Sequence, residues 1–203
     1  MPGHYVEVNG HNIFGYSRYI NLYRDIVTNS EDDAHFVELG SFLGQSTAAM
    51  GYFIKASGKR IRFDAVDIFE LTDFSDEPHF KVIEEHGGDF LAAFKNNLEK
   101  AQVEETVTIV KATSLEAAAK YEDRSISFIM IDASHKYQDV IDDIEAWYPK
   151  LKLGGIISGD DLDWEEVKRA VDDTCKYYGV YERSTWFFRK QTETLAEHRA
   201  LNT

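Results

Sequence analysis

The residues best suited to chemistry begin with a glycine-containing segment, residues 36–47, that joins a predicted strand to a predicted helix. Glu38 lies near the strand end, and Gly40 and Gly44 follow it. Glycines here allow a tight turn and a close approach of a ligand to the backbone. A carboxylate would oppose a pyrophosphate at the helix N-terminus, and it suits a ligand that carries a sulfonium and an ammonium group. The segment predicts a nucleoside-type ligand rather than a dinucleotide, with an ordinary strand-to-helix turn as the alternative.

A further carboxylate, Asp67, follows the next predicted strand. Its distance from the glycine turn is close to the spacing at which an acidic residue accepts hydrogen bonds from the ribose of a nucleoside cofactor. Taken alone, Asp67 could equally be a polar strand terminus. Together with the turn, it favours a ligand that contains ribose.

Three more carboxylates follow the fourth and fifth predicted strands: Asp132, Asp160 and Asp161. In a parallel sheet these strand ends emerge at the edge that also holds Glu38 and Asp67. Carboxylate oxygens are the ligands that Mg²⁺ prefers, and such an ion would act as a Lewis acid on a bound hydroxyl. The pattern predicts a metal site at this edge, and capping of the helices that follow is the alternative.

The histidine nearest to these carboxylates is His135. Its ordinary pKa near 6.5 suits proton transfer at neutral pH, so His135 could deprotonate a substrate hydroxyl, or it could be a structural hydrogen-bonding residue. His79 and His86 are weaker candidates and are expected at a surface. Cys175 falls in a helical pattern and is expected in the core.

The elements that position these residues alternate between strand-like apolar runs and helical patterns. This order is typical of an α/β fold, and it predicts a doubly wound, Rossmann-like domain with a mostly parallel seven-stranded sheet and an antiparallel edge strand. Gly58 is expected to end the first core helix, and Gly154 and Gly155 to end the unit formed by the helix from Tyr137. The predicted strands are 35–39, 61–66, 106–110, 125–131, 156–158 and 181–189, and the predicted helices are 45–55, 137–151 and 163–178, the last opened by a capping box at Asp163.

Two segments interrupt the alternation and are expected to form lids over the ligand-binding edge. Residues 1–34 contain an aromatic-rich helical pattern, and residues 69–98 form an insertion with aromatic residues from Phe69 and Phe74 onwards. Residues 190–203 are a polar tail, expected as a frayed helix or disordered. Aromatic residues at 13–26 could also form a contact in a homo-oligomer.

Composition limits the partners and the location. The 203 residues favour one domain, and the net charge of −14 with dispersed lysines and arginines argues against duplex nucleic acid and anionic membranes as partners. A single cysteine fits a reducing compartment. The start of the chain does not resemble a signal peptide and no apolar run would span a bilayer, so a cytoplasmic location is expected.

The string from Val37 to Thr47 resembles the first motif of class I S-adenosylmethionine methyltransferases. The segments 128–137 and 154–161 resemble one branch, the small bacterial metal-dependent O-methyltransferases related to macrolide-sugar and cephalosporin-tailoring enzymes, and the match covers about residues 34–175. The relatives carry an aspartate, as the proposed base, where this chain has Ser134, so His135 is the expected substitute. The resemblance, with the turn, implies a cofactor site of Glu38, Gly40, Ser41, Gly44, Ser46, Asp67, Thr113, Ser114 and Asp132, and a Mg²⁺ site of Asp132, Asp160 and Asp161.

The expected function is therefore S-adenosylmethionine-dependent O-methylation of a small molecule such as a sugar, a phenol or another natural product. Asp132 and His135 are the expected catalytic residues, with Mg²⁺ assisting. A nucleotide-dependent oxidoreductase and a catalytically idle cofactor-binding or assembly subunit are the alternatives.

Overall fold

A seven-stranded sheet forms the centre of the protein. The computed structural model describes residues 3–71 and 77–201. The strand order is β5-β4-β3-β6-β7-β9-β8, and β1 and β2 form a separate hairpin. The strands are β1 (His4–Val8), β2 (His11–Gly15), β3 (His35–Leu39), β4 (Arg62–Asp67), β5 (Thr108–Lys111), β6 (Ile126–Ile131), β7 (Leu151–Gly159), β8 (Gly179–Tyr181) and β9 (Thr185–Arg189).

The helices cover both faces of this sheet. They are α1 (Ile20–Asn29), α2 (Gln45–Ser57), α3 (Glu77–Glu85), α4 (Phe90–Ala101), α5 (Ser114–Ala118), α6 (Tyr137–Trp147), α7 (Glu165–Thr174) and α8 (Leu195–Ala200). One apolar core contains residues of α1, α2 and α4, and the other contains residues of α5, α6 and α7. Among the described residues, none of the helices combines the length and apolarity that a bilayer crossing needs.

The predicted fold class is confirmed. Strands β3, β4, β5, β6 and β7 pair in parallel, and β9 runs antiparallel between β7 and β8. All five residues of β3 are buried, as expected for a strand covered by helices on both faces. Gly58 ends α2 in the left-handed conformation, also as predicted.

The prediction of a helical segment over residues 1–34 is wrong for its first half, which forms the β1–β2 hairpin. Asn9 and Gly10 make the turn with positive φ angles of 51° and 80°. An Asn-Gly pair between two short strands is a strong hairpin signal, and the helical spacing of the aromatic residues obscured it. Tyr19 and Tyr23 are buried in the protein's own core, so they are not available for the expected oligomer contact.

The predicted insertion, residues 69–98, is partly a regular helix of the fold. Asp89 caps α4 by accepting a hydrogen bond from the backbone N–H of Ala92, and Phe94 on α4 is fully buried in the core. His79 on α3 packs against other aromatic rings rather than lying free at a surface. Phe74 lies outside the described residues.

Two local expectations near the C-terminal half are corrected, and two others are refined. Gly154 and Gly155 lie inside β7, where the pairing register with β6 shifts, and they do not end the preceding unit. The residue before α7 is Trp164, so the predicted capping box at Asp163 does not form. Cys175 is buried as expected but follows the last residue of α7. Residues 195–200 of the predicted tail form α8.

Candidate active site

The candidate site lies at the carboxyl ends of β3, β4, β6 and β7. Backbone hydrogen bonds tie these ends together, since the Gly40 N–H donates to Val66 O at 2.9 Å and the Asp132 N–H donates to Leu39 O at 2.8 Å. The carboxylates predicted from four separate parts of the sequence therefore meet at one edge of the sheet. Open α/β sheets bind their ligands at this edge.

Gly40 and Gly44 shape the turn between β3 and α2. Both have positive φ angles, 81° and 83°. A Cβ atom on Gly40 would lie 2.0 Å from the carbonyl oxygen of Asp132, so the close approach of the two strand ends requires glycine. Gly44 stands directly before α2, where its missing side chain leaves room for the ring of Phe94.

Glu38 is fully buried beneath this turn. Its carboxylate accepts hydrogen bonds from the hydroxyls of Tyr23 at 2.9 Å and Ser41 at 3.4 Å, and from Thr47. Burial raises the pKa of Glu38 to about 7, although hydrogen bonds, including one from Ser46, oppose that rise. Glu38 therefore connects α1, the turn and the start of α2 through hydroxyl groups.

Asp67, at the end of β4, holds the same turn from the other side. Its Oδ2 accepts hydrogen bonds from the backbone N–H groups of Ser41 at 2.8 Å and Phe42 at 3.1 Å, and its Oδ1 accepts from Phe69 at 2.6 Å. Burial raises the pKa of Asp67, and these backbone donors oppose the shift. Asp67 is only half-buried, and its Oδ1, which accepts one hydrogen bond, has a further lone pair for a ligand hydroxyl.

Thr113 and Ser114 follow β5, as predicted. Thr113 caps α5 in a capping box with Glu116. The Ser114 hydroxyl accepts a hydrogen bond from Trp147 Nε1 at 2.8 Å, which joins α5 to α6. In this arrangement Ser114 serves helix packing, while the exposed Thr113 faces solvent.

A cluster of Asp132, His135 and Asp161 forms the polar centre of the site. One potential ligand atom from each residue lies within 4.8 Å of the others. His135 Nε2 is 2.8 Å from Asp161 Oδ2 and 3.8 Å from Asp132 Oδ1. The residue before α6 is Lys136, so neither Asp132 nor Ser134 takes its N-cap position, and capping does not account for these carboxylates.

Asp160 and Ser134 point elsewhere. The Asp160 Oδ1 accepts hydrogen bonds from Ser184 at 2.8 Å and Thr185 at 3.1 Å, in the hairpin of β8 and β9. The Ser134 hydroxyl donates to Asp139 at 2.6 Å, in the first turn of α6. Asp160 is adjacent to the three-residue cluster, but it is not one of its members.

The charge state of His135 follows from its neighbours. Burial lowers the pKa of His135, but the carboxylates of Asp132 and Asp161 outweigh burial and raise it to about 10. The ring also lies beside the half-exposed ring of Trp164, with centroids 4.7 Å apart. At neutral pH this histidine carries a proton and is an ion-pair partner rather than a free base.

Two residues that sequence reasoning missed complete the site, Arg18 and Tyr19. The Tyr19 hydroxyl donates to Asp132 Oδ2 at 2.7 Å. The Arg18 guanidinium forms an ion pair with Asp161, and it lies 3.5 Å from Asp160 and 3.3 Å from Asp163. No local motif marks Arg18. The Asn-Gly hairpin signal would have placed this segment directly after a turn-and-strand unit, beside the sheet edge.

The comparisons with known proteins agree with this geometry. Residues 37–162 match the family model described as a methyltransferase domain. No functionally curated protein sequence matches the chain. Solved structures with the same fold include three O-methyltransferases, and at 13–16% identity they show the fold alone.

The structure of the O-methyltransferase NovP has a TM-score of 0.66 at 15% identity, covering 85% of this chain and 79% of that one. An S-adenosylmethionine-dependent O-methyltransferase from Thermotoga maritima has a TM-score of 0.59 at 13% identity, with 94% and 78% coverage. The calicheamicin methyltransferase CalS11 has a TM-score of 0.58 at 16% identity, with 83% and 76% coverage. The family model matches more than half of this chain. The chain therefore belongs to the methyltransferase-domain family, and it has the fold of the S-adenosylmethionine-dependent enzymes.

Proposed function

We propose that this protein is an S-adenosylmethionine-dependent O-methyltransferase that acts on a hydroxyl group of a small molecule. The observation that carries the proposal is the cluster of Asp132, His135 and Asp161 beside the Gly40 turn. CalS11, a structural neighbour, is described as a TDP-rhamnose 3′-O-methyltransferase, which favours a sugar among the candidate acceptors. A phenol or another natural product fits the same chemistry.

The cofactor would rest on the turn and on the strand ends beside it. S-adenosylmethionine supplies, when bound, the methyl group and a positively charged sulfonium. Gly40, Ser41 and Gly44 would give it a backbone surface, and Asp67 Oδ1 has a lone pair to accept from a ribose hydroxyl. Glu38 would support the turn from beneath, because its buried carboxylate orients the hydroxyl groups of Ser41 in the turn and Thr47 in α2.

The donor set of the cluster also fits a divalent cation. The carboxylates of Asp132 and Asp161, which lie within 4.8 Å of each other and of His135, are acceptable ligands for Mg²⁺ or Mn²⁺, and their oxygen atoms suit Mg²⁺ best. Such an ion would supply Lewis-acid polarisation of the acceptor oxygen. Asp132 and Asp161 would hold it, and Asp160 would add charge from the adjacent position.

His135 would accept the proton of the acceptor hydroxyl. In the structure its proton is stabilised by Asp132 and Asp161. Engagement of these carboxylates by a divalent cation would remove that stabilisation and lower the pKa of His135. The imidazole is then able to act as a base at neutral pH.

The segments that cover the site would exclude water and select the acceptor. The ring of Tyr16, directly after the hairpin, lies 5.7 Å from Phe42 of the turn and 5.0 Å from His79 on α3. The hairpin segment and α3 therefore meet over the turn, consistent with two lids on one methyltransferase domain. Residues 1–203 would act as that single domain in the cytoplasm.

The test is a methyl-transfer assay on a panel of sugar, phenol and other natural-product acceptors. Mass spectrometry should detect the mass of one added methyl group on at least one acceptor, with Mg²⁺ present, and excess EDTA should suppress it. Methyl transfer that continues undiminished in EDTA would contradict the proposed metal site and would still support methyltransferase activity. A thermal shift with NAD or NADP alone would favour an oxidoreductase instead.

A further inference from the structure

Arg18 pairs with Asp161, one of the two carboxylates that would hold the metal ion. The Asp161 Oδ1 forms the ion pair with Arg18, and the Oδ2 lies 2.8 Å from His135 Nε2. Both oxygens of this carboxylate are therefore engaged by cationic side chains of the same chain. Although burial opposes it, these two cations lower the pKa of Asp161, which keeps the carboxylate ionised.

The segment that carries Arg18 is anchored on the C-terminal side of this residue. Tyr19 and Tyr23 are fully buried, and their hydroxyls donate to Asp132 and Glu38. The Arg18 side chain is different, because 20% of it is exposed. The backbone is thus fixed by aromatic side chains, whereas the guanidinium lies at the end of the flexible Arg18 side chain, which is partly exposed to solvent.

A divalent cation and the Arg18 guanidinium cannot share this position. Arginine does not lose its proton in proteins, so its charge persists at any working pH. Arg18 pairs with Asp161 Oδ1, and a cation on either oxygen of this carboxylate would lie close to the guanidinium, so the two like charges would repel each other. The cation must displace the guanidinium from Asp161 before the ligand set is available.

Asp163 gives the displaced guanidinium another partner. It lies 3.3 Å from Arg18 and its side chain is 45% exposed, at the outer side of the cluster. A rotation of the Arg18 side chain toward Asp163 would free Asp161 without moving Tyr19 or opening α1. The exchange would also break the contact between Arg18 Nε and Asp160 Oδ2, which are 3.5 Å apart.

We propose that Arg18 is an internal counter-ion that competes with a divalent cation for Asp161, and that it sets the metal affinity of this site. The inference rests on the metal component of the proposed function. Without metal, Arg18 closes the carboxylate cluster; with metal, Arg18 is released from Asp161 and stays at the entrance beside Asp163. Metal binding would then open the side of the site at which the methyl acceptor binds.

The test is the affinity of the purified protein for Mn²⁺, measured by titration calorimetry and by the electron paramagnetic resonance signal of free Mn²⁺. Arg18→Gln should bind Mn²⁺ about tenfold more tightly than the wild type or better, since the competing charge is gone. The matched control is Arg60→Gln, which removes an exposed arginine paired with Asp33 and should leave the affinity unchanged. Arg18→Lys keeps the charge but not the forked geometry, and it should fall between the wild type and Arg18→Gln.

Equal or weaker Mn²⁺ binding by a folded Arg18→Gln protein would overturn the inference, and so would the absence of Mn²⁺ binding by both proteins. If Arg18→Gln does not fold, Arg18→Lys decides, and an affinity no tighter than that of the wild type counts against the proposal. Binding of S-adenosylhomocysteine is measured on the same samples. If the protein binds S-adenosylhomocysteine but its Mn²⁺ affinity does not depend on Arg18, the proposed function still stands. The competition between Arg18 and the cation is then contradicted.

Discussion

Arg18 and Asp161 are 143 residues apart in the sequence and form an ion pair at the centre of the candidate site. The pair joins the segment after the N-terminal hairpin to the end of β7. Together with the hydrogen bond from Tyr19 to Asp132, it makes the covering segment part of the site rather than a detached lid. The charge balance of the site therefore depends on both parts of the chain.

The first prediction concerns the cluster carboxylates. Asp161→Asn should abolish detectable Mn²⁺ binding and lower methyl transfer at least a hundredfold, because a charged ligand of the proposed metal is replaced by a neutral amide. Asp123→Asn is the matched control, since it also removes a carboxylate that pairs with a cation, Lys150, but lies before β6, at the end of that strand opposite to Asp132. It should keep both properties within about twofold of the wild type. Similar losses in both variants would contradict the role assigned to Asp161.

A second prediction follows from the buried carboxyl of Glu38. Its folded-state pKa of about 7 lies above the ordinary value of 4.5, so folding favours the protonated form. The stability that this preference contributes is present below the ordinary value and is lost as the pH rises toward the folded pKa. The free energy of unfolding should fall by about 1.4 kcal/mol per pH unit within that window.

Urea unfolding across this pH window tests the prediction. Glu38→Gln, which is neutral at every pH, should make the free energy of unfolding flatter than that of the wild type. Glu99→Gln on the exposed side of α4 should reproduce the wild-type slope. A wild-type slope in Glu38→Gln would show that another group governs the pH dependence.

A third prediction separates backbone strain from close contact at the glycine turn. Gly40→Ala and Gly87→Ala both place a side chain at positive φ, which costs about 1–2 kcal/mol. At Gly87 the new methyl group has open space, whereas at Gly40 it would lie 2.0 Å from the Asp132 carbonyl oxygen. Gly40→Ala should therefore lose roughly 3 kcal/mol or more of unfolding free energy, and Gly87→Ala about 1–2 kcal/mol. Equal losses would mean that the turn can move away from β6.

A fourth prediction uses the two aspartates of β4. Asp67→Asn should weaken S-adenosylhomocysteine binding about tenfold or more, because the turn and the ribose both rely on this acceptor. Asp64→Asn removes a carboxylate at the other end of the strand, where Asp64 contacts His35 and Tyr121. It should lower stability and leave the calorimetric affinity unchanged. A matching loss of affinity in Asp64→Asn would point to a general effect on the sheet.

Much of the central sheet could be predicted because its strands are covered on both faces. Mostly apolar runs such as His35–Leu39 and Ile126–Ile131 identify buried strands, and the carboxylates at their ends then share an edge. The turn at Gly40 could be located for the same reason. These signals are local, and each is contained within a few consecutive residues.

The remaining features depend on contacts between distant segments. The N-terminal hairpin carried an Asn-Gly signal, but its aromatic residues also fitted a helical spacing. Asp160 is adjacent to Asp161 in sequence, yet Ser184 and Thr185 hold it apart from the cluster. Arg18 has no motif around it, and its role arises only when the fold brings it to β7. Such placements are set by tertiary packing rather than by local residue pattern.

The central claim is that the Gly40–Gly44 turn and Asp67 bind the nucleoside cofactor. Titration calorimetry of the wild-type protein with S-adenosylhomocysteine tests it most directly. The account predicts saturable heat at one site per chain, strongly reduced in Asp67→Asn and preserved in Asp64→Asn. The absence of heat and of any thermal shift with either S-adenosylhomocysteine or S-adenosylmethionine would contradict it.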